Sequence, residues 1–311
     1  MVTSICAQTK RATHYIGASV GGGGSHLLMG DGYSLHRLSA TPRAGGGAVL
    51  DLSYELVYGH LLFQTGLGVH YTLNRNQLYV DKFSAQIAEY TTMWYHYELK
   101  NYVEKTGYGI GCIPVKMGAT FDGWYFLAGV DLGLVSFGNR STTTADLTIW
   151  ATDDDIMEPL VNLPTHGLQT HYIANKSQKV DMADVNAMLA LEIGVKISSR
   201  NGVGKRMIDD ETMYHRVSDR RMQPEWRVAI FADYGLSNIY RYSANPVAYE
   251  GMSSGGLIEI KGASDVIPHS IYGYQQLRQC IVHNLFVGCK LSLRYALPEK
   301  DICRCEKVVL F

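Results

Sequence analysis

From Asn284 onward the stretch Ile281 to Leu297, IVHNLFVGCKLSLRYAL, alternates between two kinds of side chain. Leu285, Val287, Cys289, Leu291, Leu293, Tyr295 and Leu297 share one face. Asn284, Gly288, Lys290, Ser292, Arg294 and Ala296 share the other, with Phe286 the only large apolar residue among them. A sustained period of two predicts an extended strand, because successive side chains of a strand point to opposite faces. The run is longer than the ~5–6 residues usual in soluble sheets. It suits the ~9–11 residues with which a tilted strand crosses a bilayer.

Seven earlier stretches carry the same alternation. His14 to Gly21 sets Ile16, Ala18 and Val20 against Tyr15, Gly17 and Ser19. Val49 to Tyr58 sets Leu50, Leu52, Tyr54, Leu56 and Tyr58 against Asp51, Ser53 and Glu55. After Gly59-His60, Leu61 to Thr72 places Leu61, Phe63, Leu67, Val69 and Tyr71 opposite Gln64, Gly66, Gly68 and His70, which predicts a hairpin with a very short connection. Ile113 to Phe121 and Trp124 to Leu134 flank Asp122-Gly123, a strong hairpin signal, and carry Lys116 and Asp131 on their polar faces. Val185 to Ile197 carries Glu192 and Lys196 there, and Trp226 to Leu236 carries Arg227 and Asp233.

Between these strands lie four long polar segments, 22–43, 74–107, 138–182 and 240–279, read as connections, although TTMWYHYELKNYV within the second could extend the flanking strands. The glycines at 21–24 and 45–47 bracket the first. They lack the Lys or Ser/Thr signature and the following helix that a phosphate cradle requires. The connection 199–224 is charged and of middling length.

Eight strands joined alternately by long and shorter connections predict an all-β fold, an antiparallel up-and-down transmembrane β-barrel over residues 12–297 with its long loops at one end. Tyr58, Phe121, Trp124, Trp226 and Tyr295 fall on the apolar face near the turn end, where they would form an aromatic girdle at one membrane interface. The other face carries Asp51, Glu55, Asp131, Glu192 and Asp233 with Lys116, Lys196, Arg227, Lys290 and Arg294. Acidic and basic groups in equal number can pair across a narrow lumen, and a barrel of ~8 strands is filled by its own side chains. A closed ion-pair network is therefore expected in place of a water channel.

Composition adds three constraints. The formal net charge of −1 gives no reason to expect a nucleic-acid partner. No apolar run of about 18 residues offers a transmembrane helix. The cysteines at 6, 112, 280, 289, 303 and 305 show no metal-ligand spacing, and Cys303-Arg304-Cys305 is too closely spaced for an easy disulfide, so free thiols are expected. Residues 1–8, MVTSICAQ, read as the remnant of a secretory signal peptide ending in small residues, and 298–311 as a periplasmic tail.

The strand pattern, segments such as GVDLGLVSF and the last strand CKLSLRYAL resemble the small eight-stranded outer-membrane β-barrels, more closely the PorT-like barrel proteins of the Bacteroidota. The resemblance covers about residues 12–297. It implies an outer-membrane location in a Gram-negative envelope, contact with outer-membrane lipid and, for some members, accessory roles in secretion or assembly complexes. The tail Pro298 to Phe311 departs from it, since such barrels commonly end on the aromatic close of the last strand.

The leading expectation is a non-enzymatic membrane anchor or accessory subunit whose long loops bind a partner protein or an external ligand, with no cofactor and no metal. A small porin-like channel is a second reading, opposed by the crowded inner face. A membrane-embedded hydrolase or acyltransferase using His166 or His171 with an Asp of the 153–155 run is a third, opposed by the lack of a Ser-His-Asp or metal-type spacing. Asp153 to Asp155 with Glu158 offers hard oxygen ligands for Ca²⁺ but lacks EF-hand spacing, and a solvated acidic loop is preferred.

Overall fold

The computed structural model describes residues 12–29, 38–86, 93–153, 156–180, 182–183, 185–197, 224–239, 258–260, 266–268, 270 and 282–297. Its strands are β1 (Thr13–Met29), β2 (Leu38–Tyr58), β3 (Leu61–Val80), β4 (Phe83–Gln86), β5 (Met93–Thr120), β6 (Trp124–Asp153), β7 (Ile156–Leu160), β8 (Tyr172–Lys179), β9 (Asn186–Ile197), β10 (Pro224–Gly235), β11 (Ile258–Ile260), β12 (Val266–Pro268) and β13 (Val282–Ala296). A single 3₁₀ turn, Pro164–His166, is the only helical element among the described residues.

Strands β1, β2, β3, β5, β6, β9, β10 and β13 pair in that order, each antiparallel to the next, and β13 pairs back to β1. The pairing closes a ring of eight strands, so their main-chain groups find partners on both sides and the ring presents no edge. Short turns lie at one end. Gly59, at φ 62°, takes the left-handed position that the tight β2–β3 hairpin demands. Asp122-Gly123 turns β5 into β6, with the Phe121 amide donating to the Trp124 carbonyl at 2.9 Å.

Near that end the ring is apolar outside and polar inside. Leu50, Leu61, Leu67, Met117, Ile193, Ile230 and Leu291 face outward and are exposed, Leu67 by 64% and Ile230 by 59%. Arg227, pointing inward, is 2% exposed. Along β3 the inner positions run from Leu62 through His70 to Thr72, Asn74 and Asn76, and end on Leu78. The polarity therefore changes with height.

Above the ring, β5 and β6 continue as a long hairpin flanked by β3 and β4 on one side and by β7 and β8 on the other. Here the pattern is inverted. Ala145, Leu147, Ile149 and Ala151 point inward into a core with Leu78, Phe83, Tyr95, Tyr97, Tyr102 and Val266, while Thr142, Thr144, Asp146 and Thr148 alternate with them. The β5–β6 register shifts between Lys100 and Val103, Gly107 and Gly109, and Gly111 and Cys112. These irregularities fall where the hairpin leaves the ring, as bulges do where strands bend.

Three of the segments read as connections are thus largely strand. Residues 22–29 and 38–43 continue β1 and β2, 74–80 and 93–107 continue β3 and β5, and 138–153 completes β6. The glycines form part of the ring, with Gly23 opposite both Gly47 and Gly288. Without side chains they declare no face, which is why alternation could not find them. A Cβ on Gly23 would lie 2.1 Å from the Val287 carbonyl oxygen, so only glycine fits that approach. Asp154, Asp155, most of 199–224 and 240–279, residues 1–8 and the tail 298–311 lie outside the described residues.

Candidate functional site

The ring interior gathers the charged residues of seven strands. Nearest the turn end, Glu55 of β2 accepts from Arg294 of β13 at 2.7 Å and lies 3.1 Å from Arg227 of β10. Glu225 joins both guanidinium groups, 3.1 Å from Arg227 and 2.7 Å from Arg294. Each guanidinium also lies over a tyrosine ring, Arg227 at 4.3 Å from Tyr125 and Arg294 at 3.9 Å from Tyr15. Planar, weakly hydrated guanidinium groups suit such buried stacked pairs better than lysine would.

A second group lies deeper. The Lys290 ammonium donates to Asp51 Oδ2 at 2.9 Å and to Glu192 Oε2 at 3.1 Å, and Tyr125 donates to Glu192 Oε1 at 2.6 Å. Lys116 of β5 lies 3.2 Å from Asp131 of β6. His70 of β3 is ringed by three carboxylates, with Nε2 3.7 Å from Asp51 and 3.9 Å from Asp131, and Nδ1 3.6 Å from Asp233. All these side chains are buried. Apolar groups fill the space between them, Leu62, Tyr125, Leu127 and Ala229 in one cluster and Val49, Phe231 and Phe286 in another.

Lys196 stands apart from this network. Its alternation put it on the inner face, but it lies half-buried at the turn-end rim, donating to the Phe121 carbonyl. The last residues of β9 lie at the partly exposed end of the ring, where a main-chain oxygen takes the place of a carboxylate. Tyr58, Phe121, Trp124 and Trp226 are exposed near the same end, and Tyr295 is half-exposed. Phe121 stacks on Trp124 at 4.3 Å and on His60 at 5.5 Å.

The acid–base pair suggested for an enzyme is arranged differently. His171 Nδ1 lies 3.2 Å from Asp146 of β6, not against the 153–155 run, and the pair is open to solvent. The His166 ring shares a hydrogen bond with its neighbour Thr165, Asp153 sits in the β6 ladder, and Glu158 is exposed on β7. Cys112 and Cys289 are free thiols, the first buried and the second exposed, and the other cysteines lie outside the described residues.

The outer surface above the ring carries a small aromatic group. His96 stacks on Trp150 at 5.4 Å, donates or accepts at Ser84 and Thr152, and Lys82 sits 5.8 Å above the Trp150 ring. Partial burial lowers the His96 pKa below its ordinary 6.5.

The class defined by these features is a closed eight-stranded antiparallel ring with an ion-paired, filled interior and an apolar exterior. No protein-family model and no curated protein matches the chain.

Sequence reasoning missed Glu225, which precedes the predicted strand, and the pair His70 and Cys112. The available signal was parity: His70 shares the inward face of Gly68, and Cys112 shares that of Lys116.

Proposed function

We propose that this chain is an integral outer-membrane β-barrel that anchors a β-sheet extension at one membrane face, where the extension binds a partner protein or an external ligand. The observation that carries this reading is the belt of exposed apolar side chains around the ring. Soluble monomers rarely expose contiguous apolar patches beyond a few hundred Å². The span from Leu61 to Leu73 on β3, at ~3.3 Å per residue, is about 40 Å along the strand, and a ~40° tilt projects it to about 30 Å. That height suits a hydrocarbon layer of ~30 Å. Above it the outward positions of β3 turn polar at Arg75 and Gln77.

The filled interior supports an anchor over a pore. The extension supports a binding role, because it holds Trp94, Trp150 and Tyr172 on an otherwise threonine-rich exterior, and aromatic residues are enriched in interface cores. The test is a mild-detergent pull-down of tagged protein from outer-membrane fractions, with co-purifying chains identified by mass spectrometry. A stoichiometric partner lost on Trp94→Ala supports the reading. Absence of the protein from the membrane fraction sinks it.

A further inference from the structure

The geometry points to a buried divalent transition-metal site in the ring, with His70, Cys112, Asp131 and Asp51 as ligands. The ligand atoms of His70, Cys112 and Asp131 lie within 4.8 Å of one another, and all three residues are buried. The two aspartates are arranged alike. Asp51 Oδ2 takes the Lys290 ammonium at 2.9 Å and the Ser19 hydroxyl at 3.1 Å, while its Oδ1 lies 3.7 Å from His70 Nε2. Asp131 Oδ1 lies 3.2 Å from Lys116, while its Oδ2 lies 3.9 Å from the same His70 nitrogen. Each carboxylate thus holds one oxygen on a lysine and turns the other toward His70 Nε2.

Two independent features mark that point. Asp131 is wholly buried; its Oδ1 lies beside the Lys116 ammonium, whereas its Oδ2 accepts no hydrogen bond. An acceptor so enclosed normally has a donor or a cation. Gly68 opens the adjacent space: a Cβ there would sit 2.6 Å from Asp51 Oδ1 and 2.9 Å from Cys112 Sγ.

The chemistry of the donors selects the ion. One imidazole, one thiolate and two carboxylate oxygens form a tetrahedral set for Zn²⁺, with bonds of about 2.0–2.3 Å. Bonds of that length put ligand oxygens and nitrogens about 3.3 Å apart, so the 3.7 and 3.9 Å separations would contract by roughly half an ångström on binding. On the other side of the imidazole, His70 Nδ1 faces Asp233 at 3.6 Å, where a small approach would give the carboxylate–histidine hydrogen bond that orients a metal-bound imidazole. Asp51, Asp131, Asp233 and Glu192 are faced by Lys116, Lys290 and the His70 ring, and with His70 bound to the ion as neutral imidazole a divalent cation offsets the surplus negative charge. The ion would tie β2, β3, β5 and β6 together across the interior.

The test is to fold the full-length chain into detergent micelles with Zn²⁺, remove free metal by gel filtration and measure bound zinc by mass spectrometry. Folding is followed separately by the strand signal in circular dichroism. About one equivalent is expected, and Co²⁺ in its place gives a tetrahedral spectrum with a sulfur-to-cobalt charge-transfer band. Cys112→Ala abolishes that band, and His70→Ala weakens binding by more than about 100-fold, beyond the loss from a supporting outer residue alone. Glu55→Gln, in the other charge group, leaves the stoichiometry unchanged. Folded wild-type protein that retains no metal, or a band that survives Cys112→Ala, overturns the site. Should His70→Ala fail to fold, the cobalt spectrum of Cys112→Ala still decides.

Discussion

The ring and the extension above it are built from the same strands with opposite polarity. Leu67 of β3 and Ile230 of β10 face out of the ring while Glu55, Arg227 and Lys290 face in. In the extension Thr144 and Thr148 face out while Leu147 and Tyr97 face in. One rule covers both regions: each face matches its own surroundings, and hydrogen-bonded main chain lets one strand serve both. The ring holds charges inside because Arg227, Lys290 and Arg294 each meet two carboxylates, as Lys290 does with Asp51 and Glu192, and Lys116 meets Asp131. The extension packs apolar side chains beneath its outer threonines, with Glu104 buried beside them and accepting from Ser141 and Ser270.

Four variants break or sharpen this contrast. Lys290→Met leaves Asp51 and Glu192 without their shared cation and should cost about 3–5 kcal/mol, read by urea unfolding of vesicle-inserted protein. A loss below about 1 kcal/mol would reduce the interior to isolated pairs of the exposed kind. In the extension, Leu147→Ala removes a fully buried side chain and should cost about 2–5 kcal/mol in the same assay, independent of lipid.

On the outer belt, Leu67→Arg should cost about 2–4 kcal/mol in a bilayer. Thr144→Arg, outward on the extension, should stay within about 0.5 kcal/mol. Equal costs at the two positions would remove the proposed distinction between a lipid-facing ring and a water-facing extension.

The smallest effect is a pH dependence confined to the extension. His96 titrates below its ordinary 6.5, so between that value and its folded pKa the unfolded chain binds more protons than the folded one. Stability contributed here is complete above pH 6.5 and falls as the pH drops through that window. Protection factors of β5 amides near His96, taken relative to intrinsic exchange at each pH, should fall at pH 5 relative to pH 7.5, and His96→Gln should flatten the difference.

Much of the ring was legible because its outer face is uniformly apolar, so an alternation such as Leu61, Phe63, Leu67, Val69 and Tyr71 stands out against any background. The extension was read as connections because its alternation sets small polar residues against alanine, tyrosine and leucine, and because Gly21 to Gly24 carry no side chains to alternate. Glu225 escaped notice as a residue before the first apolar position of its strand, yet it bridges two arginines.

By itself the sequence determined which side chains share a face, since a period of two is a local property of extended chain. Asp51, Glu55, Lys116, Asp131, Glu192, Arg227, Asp233, Lys290 and Arg294 needed only parity to be placed together on the polar side. Tertiary structure alone decided which of them meet. Closure and stagger of the ring bring Arg227 to Glu55, Lys290 to Glu192 and His70 to Asp131 and Asp233, contacts between strands far apart in the chain. The same stagger sets Cys112 beside His70, a juxtaposition that no spacing along the chain records.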